Sequence, residues 1–311
     1  MTHKVGHTKV SAIGDGGDTS LVRPSDWNQT HAMDWGFATP NVSTITAAMA
    51  GSGDSSYDKV ALLLHCNSVD QSTTFLDNGY LSNVITSTVA VCRTQAGDSV
   101  APKFGTAKAY LNGSDTTFID ATANAAFTIG TNTFTIEFWL RNALSKATQT
   151  IIDMRPTSTE GAYITLKLTS AGELIFRVSS ADRITTSTGV ISANTWQYVA
   201  LTRTGGTTTL YVDGASVGTW ADTTTYLVNA NYGMRIGYNS MGTTGEGYLG
   251  WLDDIRFTNG AIRATTVPTI AAYDSFPGVN LVSGQNYSSA GPIVIDDTDV
   301  NIPNGSEWVI Q

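Results

Sequence analysis

The chain has 311 residues and is 41% hydrophobic but only 14% charged, with Thr, Ser, Gly and Asn filling the gap. That length suits two ordinary domains or one large β domain with appendages, and that composition favours strands and turns over helices. A net charge of -9 with no Lys/Arg cluster excludes nucleic-acid and anionic-lipid binding, and no apolar run approaches the roughly 20 residues of a membrane span.

Residues 1 to about 50 show no sustained periodicity, and MTHKVGHTKVSAIGDGGD lacks the apolar core of a secretory signal. Synthesis in a cytoplasm without export is therefore expected. Ser25 of SDW is a candidate helix cap, and MAGSGDSSYD (49–58) reads as a linker. A segment this poor in apolar residues is expected to order against partner subunits. The character changes at Lys59. VALLLHC (60–66) is an apolar run of strand length, and turn-rich NSVDQSTTFLDNGY follows it.

FTIEFWLR (134–141) alternates, with Phe134, Ile136, Phe138 and Leu140 on one face and Thr135, Glu137, Trp139 and Arg141 on the other. IIDMR (151–155), AYITLKL (162–168) and ELIFRVS (173–179) read as further strands. TWQYVALTR (195–203) runs through Thr-Gly-Gly into TTTLYVDG (207–214), whose Asp213-Gly214 pair is a hairpin signal. MRIGYN (234–239) and YLGWLDDIRF (248–257) complete the series. Strands at this spacing with glycine-bearing turns predict an all-β, two-sheet antiparallel sandwich. After Phe276 only IVI, VNI and WVI interrupt the turns, and 36 residues cannot bury a core alone.

NTWQYVALTRTGGTTTLYVDGASVGTW resembles the central signature of laminin-G-like, concanavalin-A-like jelly-roll domains, in which a Trp precedes a strand and a hairpin ends in YVDG. FTIEFWLR and GWLDDIRFTNGAIR match two further strands of that pattern in the same order. VALLLHCNSVDQSTTFLDNG (60–79) and KFGTAKAYLNGSDTTF (103–118) resemble its opening portion, as found in bacteriophage virion proteins. The resemblance covers about residues 57–275. Cys66 departs from it, standing where such sequences usually carry an aromatic or aliphatic residue.

The flanks are similar to virion proteins too: HTKVSAIGDGGDTSLVRPSDWNQTH (7–31) to an N-terminal tail-fibre segment, and VSGQNYSSAGPIVIDDTDVNIPNGSEWVI (282–310) to a short C-terminal module. The resemblance implies an N-terminal attachment segment (1–56), a jelly roll (57–275) and a small β module (276–311). It implies a phage virion protein such as a tail fibre, often trimeric, joined to other virion proteins through its N-terminus and contacting host surface polysaccharide. A purely structural spacer of tail or capsid, or a cellular carbohydrate-binding module, are the alternatives.

Catalysis finds little support in the residues. Retaining glycoside hydrolysis needs two carboxylates roughly 5 to 5.5 Å apart, yet Asp253 and Asp254 are adjacent and so on opposite faces of a strand. Only His65 among four histidines lies in the domain, with no Gly-x-Ser-x-Gly elbow. No P-loop, dinucleotide fingerprint or EF-hand loop occurs. Cys66 and Cys92 are too few and too far apart for zinc and read as free thiols.

Strict alternation puts Asp253 on the face of Ile255 and Phe257, toward the apolar layer. Asp254 then shares its face with Leu252 and with Arg256, a candidate partner. A buried carboxylate needs a cation or several N–H donors. In the resembling family, acids of the early loop lie near this strand, so a structural calcium would use Asp253 with Asp77, Asp70 being the weaker companion. Sugars stack on aromatic rings and bond to amides. Candidate sugar-binding residues are Trp220 and Tyr226 of WADTTTY, and Tyr232, Tyr238, Asn239 and Tyr248 of the 231–248 loop. Packing of these aromatics in the sandwich is the alternative. Sequons at Asn28, Asn41, Asn112, Asn286 and Asn304 are read as unmodified.

Overall fold

The computed structural model describes residues 53–263 and 265–275. The expected C-terminal module and, apart from 53–56, the expected attachment segment lie outside the described residues, as do Ser25, His3, His7 and His31. The early strands are β1 (Val60–Leu64), β2 (Ile85–Thr88), β3 (Val91–Thr94), β4 (Ala107–Asn112) and β5 (Phe118–Ala121). The middle of the chain forms β6 (Phe134–Asn142), β7 (Thr148–Asp153), β8 (Thr165–Thr169), β9 (Leu174–Val178) and β10 (Ala181–Thr185). Then follow β11 (Gln197–Thr204), β12 (Thr207–Val212), β13 (Ala215–Ala221), β14 (Met234–Ile236) and β15 (Leu249–Asn259).

One sheet of eight strands runs β13-β12-β11-β6-β15-β4-β3, with β1 also paired to β15, and a seven-stranded sheet runs β10-β9-β8-β7-β14-β5-β2. The ladders within both sheets are antiparallel. Among the described residues, helix is confined to short turns at Tyr57–Lys59, Gln95–Asp98 and Ala125–Phe127. The predicted all-β, two-sheet jelly-roll sandwich is the fold observed.

The core forms because each inner face carries every second residue. Phe134, Ile136, Phe138 and Leu140 of β6 pack with Val199 and Leu201 of β11, and with Leu166, Leu168, Phe176 and Ile236 of the other sheet. The β12–β13 hairpin turns on Asp213 and Gly214, with φ of 48° and 81°, the left-handed pair that suits the twist of a two-residue turn. Asp213 also caps the neighbouring strand, accepting from the Tyr198 N–H at 2.9 Å.

The alternation expected along β15 breaks at one residue. Asp253 pairs with Trp139, but Arg256 pairs with Glu137, so the register shifts between them. Asp254, at φ 48°, is the extra residue of a bulge. The consequence corrects the expected face assignment. Leu252, Ile255 and Phe257 face the core, whereas Asp253 and Arg256 share the outer face with their partners Trp139 and Glu137. Asp254 does not pair with Arg256; it holds His65 Nδ1 at 2.7 Å and the Ala272 N–H at 2.8 Å. Arg256 instead forms an ion pair with Glu137.

Candidate functional site

Four of the six residues expected to bind sugar are sealed in the protein, which corrects that assignment. Tyr248 is fully buried in the core. Tyr226, 3% exposed, donates its hydroxyl to Asp222 at 2.8 Å and meets Phe134 edge-on. Tyr232 is buried with its hydroxyl between the Arg155 carbonyl and Ser240 Oγ. Asn239, 1% exposed, accepts from Arg155 Nη2 at 2.9 Å and the Met241 N–H at 2.8 Å, and donates to Glu246. Their polar ends are spent inside the fold, the usual arrangement for a buried tyrosine or amide.

Trp220 and Tyr238 remain half-buried, but the fold does not bring them together. Trp220 packs on Phe176 of β9 under the Arg183 guanidinium. Tyr238 stacks on Phe118 of β5, near the other end of that sheet.

Tyr238 is the end of a ladder that sequence reasoning missed. On β5, Ile119 points into the core, so Phe118 and Asp120 point out. On β14, Ile236 points in and Arg235 points out, directly opposite Asp120 on one side and Asp153 of β7 on the other. Arg235 grips Asp120 through two hydrogen bonds, Nε to Oδ1 at 2.8 Å and Nη2 to Oδ2 at 2.7 Å. Its guanidinium carbon lies 4.3 Å from the Tyr232 ring centroid and 4.1 Å from that of Phe118. The Phe118 and Tyr238 rings stack, 6.1 Å apart and inclined by 22°.

Burial would weaken the Arg235 charge, but the bond and charge of Asp120 outweigh it and keep the group a cation. The loop bearing Tyr238 is pinned by Asp115, whose carboxylate accepts from the Gly245 N–H at 2.7 Å and the Gly247 N–H at 3.1 Å. Glu246 of the same loop pairs with Lys167 at 2.9 Å. The aromatic ladder is thus fixed before any ligand arrives, and it offers a π-face and a rim of polar groups to a ring-shaped ligand. No signal within the chain pairs Phe118 with Arg235; only the β5–β14 ladder does.

The calcium assignment does not fit the acids present. Asp77 accepts from the Leu63 and Gly79 N–H groups at 2.8 Å each, and from the backbone and side chain of Asn83. Asp253 accepts from the Lys103, Phe104 and Asp254 N–H groups at 2.8, 3.1 and 2.9 Å. Asp70 takes the Thr94 N–H at 3.0 Å. On Asp77 protons occupy all the lone pairs that a hard cation would need, and on Asp253 most of them. Among the described residues no group of three or more His, Cys, Asp or Glu is placed to hold a metal ion. Burial still pushes the Asp253 carboxyl up to about 7 in spite of these donors.

On the outer face of the eight-stranded sheet, Glu137 binds both Arg256 and the Tyr198 hydroxyl. The segment Pro268–Tyr273 lies over these residues and Trp139, leaving a cavity of about 160 Å³.

Two antiparallel sheets packed face to face define a jelly-roll β-sandwich. The chain belongs to the concanavalin A-like lectin/glucanases superfamily, whose laminin-G-type sequence profile matches residues 105–268, just over half of it. Among solved structures it is similar to the binding domain of Paraclostridial Mosquitocidal Protein 1, at 17% identity and a TM-score of 0.50 over 67% of this chain and 51% of that one. It is also similar to botulinum neurotoxin type C, described as entering cells through two ganglioside molecules, at 16% identity and a TM-score of 0.49 over 67% of this chain and 50% of that one. The chain thus spans about half the length of these structures, and at such identity the likeness shows the fold alone. None of the curated proteins compared with it matches.

Proposed function

We propose that the domain is a non-enzymatic glycan-binding module, carried on a bacteriophage virion appendage and contacting host surface polysaccharide. The observation that carries this reading is the Tyr232–Arg235–Phe118–Tyr238 ladder. Sugars present apolar C–H faces to such rings, and rigid rings lose little entropy on binding. Membership of a lectin-containing family supports it. The virion setting, a homotrimeric state and docking through residues 1–56 rest on the sequence resemblance of 7–31 and 282–310.

Binding is favoured over hydrolysis because the carboxylates on the outer faces are already engaged. Glu137 is held by Arg256 and Tyr198, and Asp253 by three backbone donors. Glu137 and Asp253 are thus both engaged within the fold rather than presented to a sugar. Retention of the folded chain on host cells or on purified surface polysaccharide tests the reading, with Tyr238→Ala as the control. Absence of retention at high protein concentration would favour a structural spacer.

A further inference from the structure

The charges around the ladder select the ligand. Five acids line this outer face and its loop: Asp115, Asp120, Asp153, Glu160 and Glu246. Three cations are each committed to one of these acids, and a fourth, Lys146, is held by the Gly113 and Gly247 carbonyls. Arg235 is bound twice to Asp120. Arg155 bonds Asp153 and reaches Glu160 at 2.7 Å. Lys167 is on Glu246. None of these three paired cations is free to receive a ligand carboxylate, and Asp115 accepts from the Gly245 and Gly247 N–H groups. Burial raises the Tyr238 hydroxyl pKa; of the three charges that act on it, those of Asp115 and Glu246 raise it further and that of Arg235 lowers it. Two are acids, and the third is the arginine spent on Asp120. The whole chain carries a net charge of -9.

We infer that the Phe118–Tyr238 site takes an uncharged sugar ring and discriminates against the same ring bearing a carboxylate, with Asp115 and Glu246 as the specificity-determining residues. The inference rests on the glycan-binding reading and narrows it. A neutral ring can lay its C–H face on Tyr238 and Phe118. A uronate in the same place would bring its charge against two acids, with the Arg235 guanidinium already paired to Asp120, and repulsion of this kind separates ligands that stack equally well.

The test uses two matched pairs, galactose with galacturonate and glucose with glucuronate, which differ only in a hydroxymethyl or a carboxylate at C6. Binding to the full chain is followed by saturation-transfer NMR and titration at low and high salt. We expect the neutral member of at least one pair to bind at least tenfold more tightly than its uronate at low salt. The gap narrows at high salt, because exposed charges are screened over about 8 Å at physiological ionic strength. Asp115→Asn and Glu246→Gln should each narrow it further, and Tyr238→Ala should weaken binding at least tenfold. Two variants are used because Glu246 also holds Lys167. Equal or tighter binding of the uronates would overturn the inference while leaving glycan binding intact. Binding of no sugar by a correctly folded chain would overturn both.

Discussion

Asp254 and Arg256 stand two residues apart on β15 and bond in different directions. Asp254 takes His65 Nδ1 at 2.7 Å, and Arg256 takes Glu137 on the adjacent strand. The single bulged residue between the two halves of the strand thus sets one acid against β1 and frees the arginine to neutralise another.

Glu137→Ala is expected to cost about 3 kcal/mol, because it leaves the Tyr198 hydroxyl unpaired and Arg256 with Asp54 alone, at 3.5 Å. The double variant Glu137→Leu, Arg256→Met should recover most of that loss. Urea denaturation of the three proteins measures both.

Tyr238→Ala should weaken glycan binding at least tenfold, roughly 1.4 kcal/mol, while shifting the melting temperature little, since the residue is half-exposed. Tyr232→Ala should instead destabilise the fold, because that ring is buried and its hydroxyl bonded twice. Calorimetry beside a binding titration separates the two outcomes.

Gly237→Ala should destabilise by about 2 kcal/mol or more. At φ 95° an added Cβ would fall 1.9 Å from Leu111 Cδ2, so steric overlap adds to backbone strain. A fall in melting temperature of roughly 4–8 °C is expected for a domain of this size.

Between about pH 4 and 8 the groups that the folded chain protonates more tightly are His65 and Asp253. Burial opposes the charge on His65, but the bond and charge of Asp254 prevail and raise its pKa; burial pushes Asp253 up to about 7. A raised folded pKa contributes stability below the unfolded value that is lost as pH rises through the folded value. Asp253 therefore loses its contribution between roughly pH 4 and 7, and His65 from roughly pH 6.5 upward. The melting temperature should fall from about pH 5 to 8. His65→Gln should flatten the upper part of that fall and leave the lower part.

Cys66 and Cys92 are both buried. Burial pushes the Cys92 thiol up to about 12 and raises Cys66 well above its ordinary value. Neither should react with a thiol reagent at neutral pH in the native chain, and both should react promptly in denaturant.

Much of the sandwich was legible because strand patterning is local. Alternation in FTIEFWLR assigned both faces of β6 correctly, and Asp213-Gly214 marked its hairpin. The same rule failed on β15, where one left-handed residue reverses the phase; an Asp-Asp pair in a strand, with aspartate's tolerance of positive φ, was the available signal. The loop tyrosines misled for a related reason. Composition marks a ring with a polar tip, but not whether that tip meets water or, as for Tyr226, a buried carboxylate.

The all-β class, the strand series and the family follow from the residues in order, since periodicity, turn residues and a run of signature strands are properties of neighbouring positions. The tertiary structure alone decided which aromatics are presented and which acids are satisfied. Phe118 and Tyr238 meet across more than a hundred residues of chain, and Asp253 finds its donors on a loop distant in sequence. Such contacts depend on strand order and register between remote segments, which pattern along the chain does not encode.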